Sequence, residues 1–387
     1  MLIRKTIRRT GQRAFDLCRY LKDSAHSVGR RPTRVLLCSD ELAYTSEQQL
    51  QPFRDHRRRL RDRRLIFLQT GTGTLLGSPA ALLRQFDVVA VKLHYQSPVE
   101  VVHRVAGVLE RLRGACRTVY LDGDDDCCVQ WPEIAGTVDS YVKKHVLSDP
   151  TAYLRDYVGK SNLTDYVHRV HGVSFTDNEI PRCARLTSEQ AAVIRLGWNI
   201  AQDEKIIALW QRLQNAAKPA CSVDVVCRAS VASSSWIRPL REPVAEALQV
   251  MAGRRAVLLP TERVSQERYY EEMLTSRICV SPFGFGEICW RDFEAIACGC
   301  LLVKPDMSHI RTAPDIFVPG ETYVPVRWDF ADLAETCESY LARPEELSRI
   351  ARNAHAVLEG WYRGERVVDR ILELLQAGAR PETPHAV

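Results

Sequence analysis

Unbroken apolar runs recur along this chain and constrain its fold more than any other feature. Residues 33–38 (TRVLLC), 65–68 (LIFL), 87–93 (DVVAVKL) and 118–121 (TVYL) lie in the first half. Residues 223–228 (VDVVCR), 256–259 (AVLL), 278–280 (ICV) and 300–303 (CLLV) lie in the second. A strand with one face in water alternates apolar and polar side chains, so an unbroken run predicts a strand covered on both faces. Between the runs stand segments such as 99–112, where apolar residues recur at three- and four-residue spacing and predict helix. Strands alternating with helices predict parallel sheets of Rossmann type. At 387 residues the chain exceeds one ordinary core, which predicts two α/β domains. The expected divisions are 1–175 and 176–362, with a C-terminal helix and tail at 363–387 for which a crossing back to the first domain is open.

Composition narrows the class. Hydrophobic residues make up 45% and charged residues 26%, as in soluble globular proteins. No apolar run approaches the roughly 20 residues that span a bilayer, and Arg and Lys interrupt residues 1–21 too often for a secretory signal. A cytoplasmic location is expected. The 13 cysteines include no C-x-x-C pair, and Cys127-Cys128 and Cys298-Gly299-Cys300 lack zinc-like partner pairs, so reduced, mostly buried thiols and no metal centre or cofactor are expected. The charge of +5 is uneven. Arg4, Lys5, Arg8, Arg9 and Arg13 lie near the N-terminus, and Arg54, Arg57, Arg58, Arg59, Arg61, Arg63 and Arg64 form a denser run. Two readings stand: a solvated helix face, or attraction to a phosphate-bearing substrate or an anionic surface, with peripheral contact at the inner face of the membrane.

Ligands of open parallel sheets bind outside the carboxyl ends of the strands. In the first half that rule selects Asp40-Glu41, the Thr70-Gly71-Thr72-Gly73 turn, His94-Tyr95 and Asp122-Gly123-Asp124-Asp125-Asp126. His94 is a candidate catalytic or substrate residue, or a hydrogen-bonded loop residue. In the second half it selects residues 281–302, SPFGFGEICWRDFEAIACGCLL, read as strand end, glycine turn, helix and next strand. Gly284 and Gly286 let backbone amides approach a ligand, and a helix opening near Glu287 would aim its N-terminal N–H groups at a phosphate. Elsewhere, Thr187 and Ser188 before Glu189-Gln190 predict a helix through Asn199. Further helices are expected at 204–217, 243–251, 265–274, 329–341, 344–358 and 365–377, with a strand at 323–326.

The G-F-G turn followed by F-E-A-I-A-C-G-C-L-L-V resembles the C-terminal donor-binding domain of GT-B glycosyltransferases, of the group 1 type. The run from Arg291 to Val303 is also similar to the exostosin-like branch. The resemblance covers about residues 275–360 and implies two Rossmann-like domains whose parallel sheets face a central cleft. It implies transfer of a sugar from a nucleoside-diphosphate donor to an acceptor hydroxyl, in the manner of surface polysaccharide or glycoconjugate synthesis, with a carbohydrate or glycolipid acceptor. By the same resemblance Glu294 accepts hydrogen bonds from ribose hydroxyls, and the backbone of Gly284, Phe285 and Gly286 meets the phosphate or sugar. Group 1 enzymes often carry another Glu beside this loop. Here that slot is Phe283 or, registered on the helix, Gly286, and Glu287 is expected on one helix face with Glu294, roughly 10 Å apart.

A metal-free site needs cations to offset the diphosphate charge; Arg238, Arg241, Arg291 and Lys304 are the candidates. Asp122-Gly123-Asp124 satisfies the D-x-D pattern by which GT-A glycosyltransferases hold a divalent ion, and within the GT-B reading Asp122 or Asp124 is a candidate base on the acceptor side. A solvent-exposed acidic turn is the plainer alternative. A third reading is a non-catalytic protein holding an anionic polymer. No aromatic-interleaved basic motif points to nucleic acid, and none is expected as a partner.

Overall fold

The computed structural model describes residues 15–25, 31–40, 47–175, 185–214, 218–231, 236–259 and 264–376. The basic lead-in at Arg4 to Arg13, Glu41, the serine turn at 233–235 and the tail from residue 377 lie outside them.

Among the described residues thirteen strands are named in chain order. They are β1 (Thr33–Ser39), β2 (Leu65–Gly71), β3 (Val88–Lys92), β4 (Arg117–Asp122), β5 (Ser140–Lys143), β6 (His145–Leu147), β7 (Ile194–Leu196), β8 (Val223–Val226), β9 (Val257–Leu258), β10 (Ser276–Val280), β11 (Leu301–Pro305), β12 (Ile310–Thr312) and β13 (Val324–Val326). The first sheet has the order β2-β1-β3-β4-β5-β7 and the second β13-β11-β10-β8-β9, every pairing parallel. In both, the second strand lies on one side of the first and the third on the other. Each sheet therefore has a switch point, β1/β3 and β8/β10, where such folds bind ligands.

The unbroken apolar runs are explained by the packing. On β1, Leu36 and Cys38 enter one core while Val35 and Leu37 enter another. The core of Leu36 and Cys38 is continuous with Phe283, Ile288, Phe293 and Ile296 of the second domain, so the domains share apolar contact. The core of Val35 and Leu37 is covered by the C-terminal helix Glu365–Gln376 through Val367, Val368, Ile371, Leu372, Leu374 and Leu375. A third core lies on the far face of the second sheet, under helices Glu242–Ala252 and Leu333–Leu341.

Two expectations about order are corrected. The helix expected through Asn199 is a short turn, Ser188–Ala192, correctly capped by Thr187 and Gln190, and the chain then forms β7 beside β5. The first sheet thus continues past residue 175, through Leu196. β6 and β12 form an antiparallel ribbon joining the two halves.

The described part of the basic run is partly engaged in pairs, while Arg58 stays 87% exposed. Arg57 and Arg61 pair with Asp23, and Arg54 with Glu47. Arg63 pairs with Asp369, and Arg59 donates to the backbone oxygen of Arg363, both beyond the end of the second domain. Much of this charge ties helices together. Among the described residues no helix is long and apolar enough to cross a membrane.

Candidate active site

The loop that follows β10 is fixed by one buried carboxylate. Asp292, fully buried, accepts from Ser281 Oγ at 2.5 Å, the Cys289 backbone N–H at 2.9 Å and Lys304 Nζ at 3.1 Å. Ser281 and Cys289 are the two ends of the glycine loop, so Asp292 closes it. The helix begins only at Trp290, with Cys289 as its N-cap. This corrects the expected opening near Glu287, which precedes the helix and shares no helix face with Glu294. It also places Lys304, itself without exposure, in an ion pair beneath the loop and over the Phe283 ring. Its charge is already matched by a carboxylate. Asp292 was missed in sequence because its cap partner is Cys; an Asp three residues after the N-cap is a capping-box spacing with an unusual cap.

Above that base the loop meets the first domain. A Cβ built on Gly286 would fall 1.4 Å from the backbone oxygen of Asp125, so only glycine fits there. Gly284 has room: its nearest neighbour would be Arg241 Nη2 at 3.5 Å. Phe285, 61% exposed, packs edge-on to Trp236.

Two guanidinium groups converge on the loop. Arg241 donates from Nε to the Phe283 carbonyl at 3.0 Å and from Nη1 to the Ser230 carbonyl at 2.7 Å. Burial and the charge of Arg291 lower its pKa. Arg291 forms no ion pair among the described residues, and its buried Nε lacks a hydrogen-bond partner. Cys227 and Cys279 lie within its field, but burial raises the pKa of both thiols and leaves them neutral at pH 7. Arg238 faces outward in a pair with Glu242, its side chain 63% exposed.

Glu294 is held by tyrosines that sequence reasoning missed. It accepts from Tyr269 Oη at 2.8 Å and Tyr270 Oη at 3.0 Å, both on helix Gln266–Leu274. Burial raises its pKa despite these bonds.

Opposite, at the carboxyl end of β4, the acidic turn is matched by lysines. Asp122, 1% exposed, pairs with Lys143 at 2.9 Å, Asp125 with Lys144 at 2.7 Å and Asp126 with Lys160 at 2.9 Å. Lys92 stands 3.8 Å from Asp124. Against the upward push of burial, Lys143 and Lys92 hold Asp122 at about 2, whereas burial and the charge of Asp122 raise Asp124. Asp122, Asp124 and Asp126 are thus largely buried and each stands near a lysine, whereas the Asp125 side chain is 58% exposed. His94, 8% exposed, accepts from the Gln96 backbone at Nδ1, while its own backbone N–H donates to Asp40. It is built into the loop after β3.

The domain contact also gathers Cys127, His145 and Glu287, all fully buried. His145 Nε2 is 3.1 Å from Glu287 Oε2, and His309 Nε2 is 3.9 Å from Glu287 Oε1. Hydrogen bonding and charge from His145, with the charge of His309, outweigh burial and hold Glu287 at about 2. Apart from Glu287, these residues were not singled out in sequence as a group, because they are scattered over more than 180 positions without a spacing signature.

Residues 223–373 match the family model described as Glycosyl transferase-like. The match lies in the second domain, and the chain has an α/β architecture with two parallel sheets. Solved structures of similar fold include a glycosyltransferase from Rickettsia africae ESF-5, at 10% identity and a TM-score of 0.46 over 90% of this chain and 98% of that one. An alpha-glucosyltransferase in complex with UDP shows 10% identity and 0.43 over 87% and 99%. A UDP-GlcNAc 2-epimerase from Neisseria meningitidis, bound to UDP-GlcNAc, shows 9% and 0.41 over 88% and 99%. No curated protein matches the chain in sequence.

Proposed function

We infer that this chain is a glycosyltransferase that binds a nucleoside-diphosphate sugar at the β8/β10 switch point and transfers the sugar to a hydroxyl presented by the first domain. The observation that supports this best is the convergence of Arg241 and Arg291 on the glycine loop, in a domain of glycosyltransferase type. Two neighbouring guanidiniums whose charges repel are stabilised by a diphosphate, and they offset the charge that grows on it as the glycosidic bond breaks. The Gly284 N–H donates to the Gly286 carbonyl at 3.1 Å within the loop, and the amides of Phe285 and Gly286 meet the phosphate or sugar. Two of the four acceptor positions of Glu294 are taken by tyrosines, and the other two serve ribose hydroxyls. Asp124, with its raised pKa at the domain boundary, takes the proton of the acceptor hydroxyl. Arg238, Lys304, His94 and Asp122 have no direct part.

The acceptor class is a carbohydrate or glycolipid, and the protein works in the cytoplasm. The test is nucleotide release from a panel of nucleoside-diphosphate sugars with sugar and glycolipid acceptors. Turnover lost in Asp124→Asn, with donor binding retained, supports the assignment; no turnover of any donor by the wild type contradicts it.

A further inference from the structure

The buried group at the domain contact has an inventory that its own hydrogen bonds do not account for. The ligand atoms of Cys127, His145 and Glu287 all lie within 4.8 Å of one another, and none of the three residues is exposed. Glu287 Oε1, His145 Nδ1 and both ring nitrogens of His309 are buried without a hydrogen-bond partner. Such atoms are rare in a folded protein, where nearly every buried polar atom is paired. Burial and the charge of the neighbouring Glu287 carboxylate push the Cys127 thiol's pKa up.

We propose that Cys127, His145 and Glu287 bind a divalent transition-metal ion, zinc by the chemistry of the set, that cross-links the two domains. Thiolate, imidazole and carboxylate together select zinc over magnesium or calcium, which take oxygen ligands only. Zinc–ligand bonds of about 2.0–2.3 Å put ligand atoms roughly 3.3–3.7 Å apart in a tetrahedron. The present spacing brackets that range: 3.1 Å between His145 and Glu287, and no more than 4.8 Å for the others. His309, beside Glu287, stands next for the fourth position. On binding, Cys127 gives its thiol proton to solvent and sulfur donates its electron pair to the metal.

The ligands come from both halves of the chain. Cys127 follows β4 and His145 opens β6 in the first; Glu287 adjoins Gly286, and His309 precedes β12, in the second. An ion here would fix the glycine loop against the acidic turn. Its role is to hold the site's walls in place, and it is independent of which sugar is transferred.

The experiment is elemental analysis of the full chain, purified without a histidine tag, followed by cobalt substitution of the metal-stripped protein. About one zinc per chain, and a thiolate-to-cobalt charge-transfer band, are expected. Cys127→Ser should abolish the band and the bound metal, whereas replacing the exposed His103 by Ala should leave both unchanged. Wild-type protein with no stoichiometric metal and no cobalt band overturns the proposal, whether or not any variant folds. So does a folded Cys127→Ser variant that keeps its metal.

Discussion

Replacing Gly286 by Ala tests how closely the two domains are built onto each other. The added methyl would sit 1.4 Å from the Asp125 carbonyl oxygen, 2.1 Å from its carbon and 2.8 Å from the Asp126 nitrogen. All three are backbone atoms, so no side chain can rotate away. Real Cβ contacts do not fall below 3.0 Å, so the loop and the acidic turn must part by well over 1 Å. Overpacking a well-filled site costs about 1–3 kcal/mol, and more where backbone must shift; the expected loss is at or above the top of that range. The displacement also opens the adjoining His145–Glu287 contact. Chemical denaturation should show a lower midpoint with an unchanged slope, and donor turnover should fall steeply. Gly284→Ala is the control, because its neighbour at 3.5 Å is the tip of a flexible arginine, and its stability should stay within about 0.5–1 kcal/mol of wild type. Equal stabilities for Gly286→Ala and Gly284→Ala would refute the reasoning.

Ile371→Ala, at a fully buried site of the C-terminal helix, should cost about 2–5 kcal/mol in denaturation experiments because the first domain's core loses its cover; a loss below that range would show that the helix is not part of the core. Asp122→Asn leaves Lys143 buried without its carboxylate and should destabilise by about 3–5 kcal/mol, with stability near wild type counting against a structural role. Glu294 has a folded-state pKa above its ordinary 4.5, so its folded form holds the proton more tightly, and stability declines as pH rises from 4.5 through the raised value. Glu294→Gln removes that decline. The stability of Glu294→Gln relative to wild type should therefore increase with pH across this window and then level off, and a constant difference from pH 4 to pH 7 would contradict the assignment.

The sheets were legible in the sequence because their strands are covered on both faces, and an unbroken apolar run such as 87–93 carries that fact locally. β5, β6 and β12 were not. Their residues are short and mixed, like His145-Val146-Leu147, and they become strands only because partners from distant segments supply hydrogen bonds. The helix expected through Asn199 failed for the same reason: the cap at Thr187 is a local signal, but pairing with β5 outweighs helix propensity after Ala192. At the site, the glycine loop and Arg291 were visible because a motif places them. The partners of Glu294 and the lysines that match Asp122, Asp125 and Asp126 were not, since charge pairing across sheets leaves no spacing to read. Steric need at Gly286 was hidden as well, because the backbone that fills its side-chain space comes from the other domain.

The account stands or falls on the donor. Isothermal titration of the full chain against UDP, GDP, dTDP and CMP sugars should find one nucleotide class that binds. Arg291→Ala should weaken that affinity by about 1.5–3 kcal/mol, tenfold or more in Kd, as expected for losing a charged hydrogen bond. Arg238→Ala, which removes an exposed pair, should leave it unchanged. Binding by none of them, or equal affinity in wild type and Arg291→Ala, would contradict the placement of a nucleotide sugar on the glycine loop.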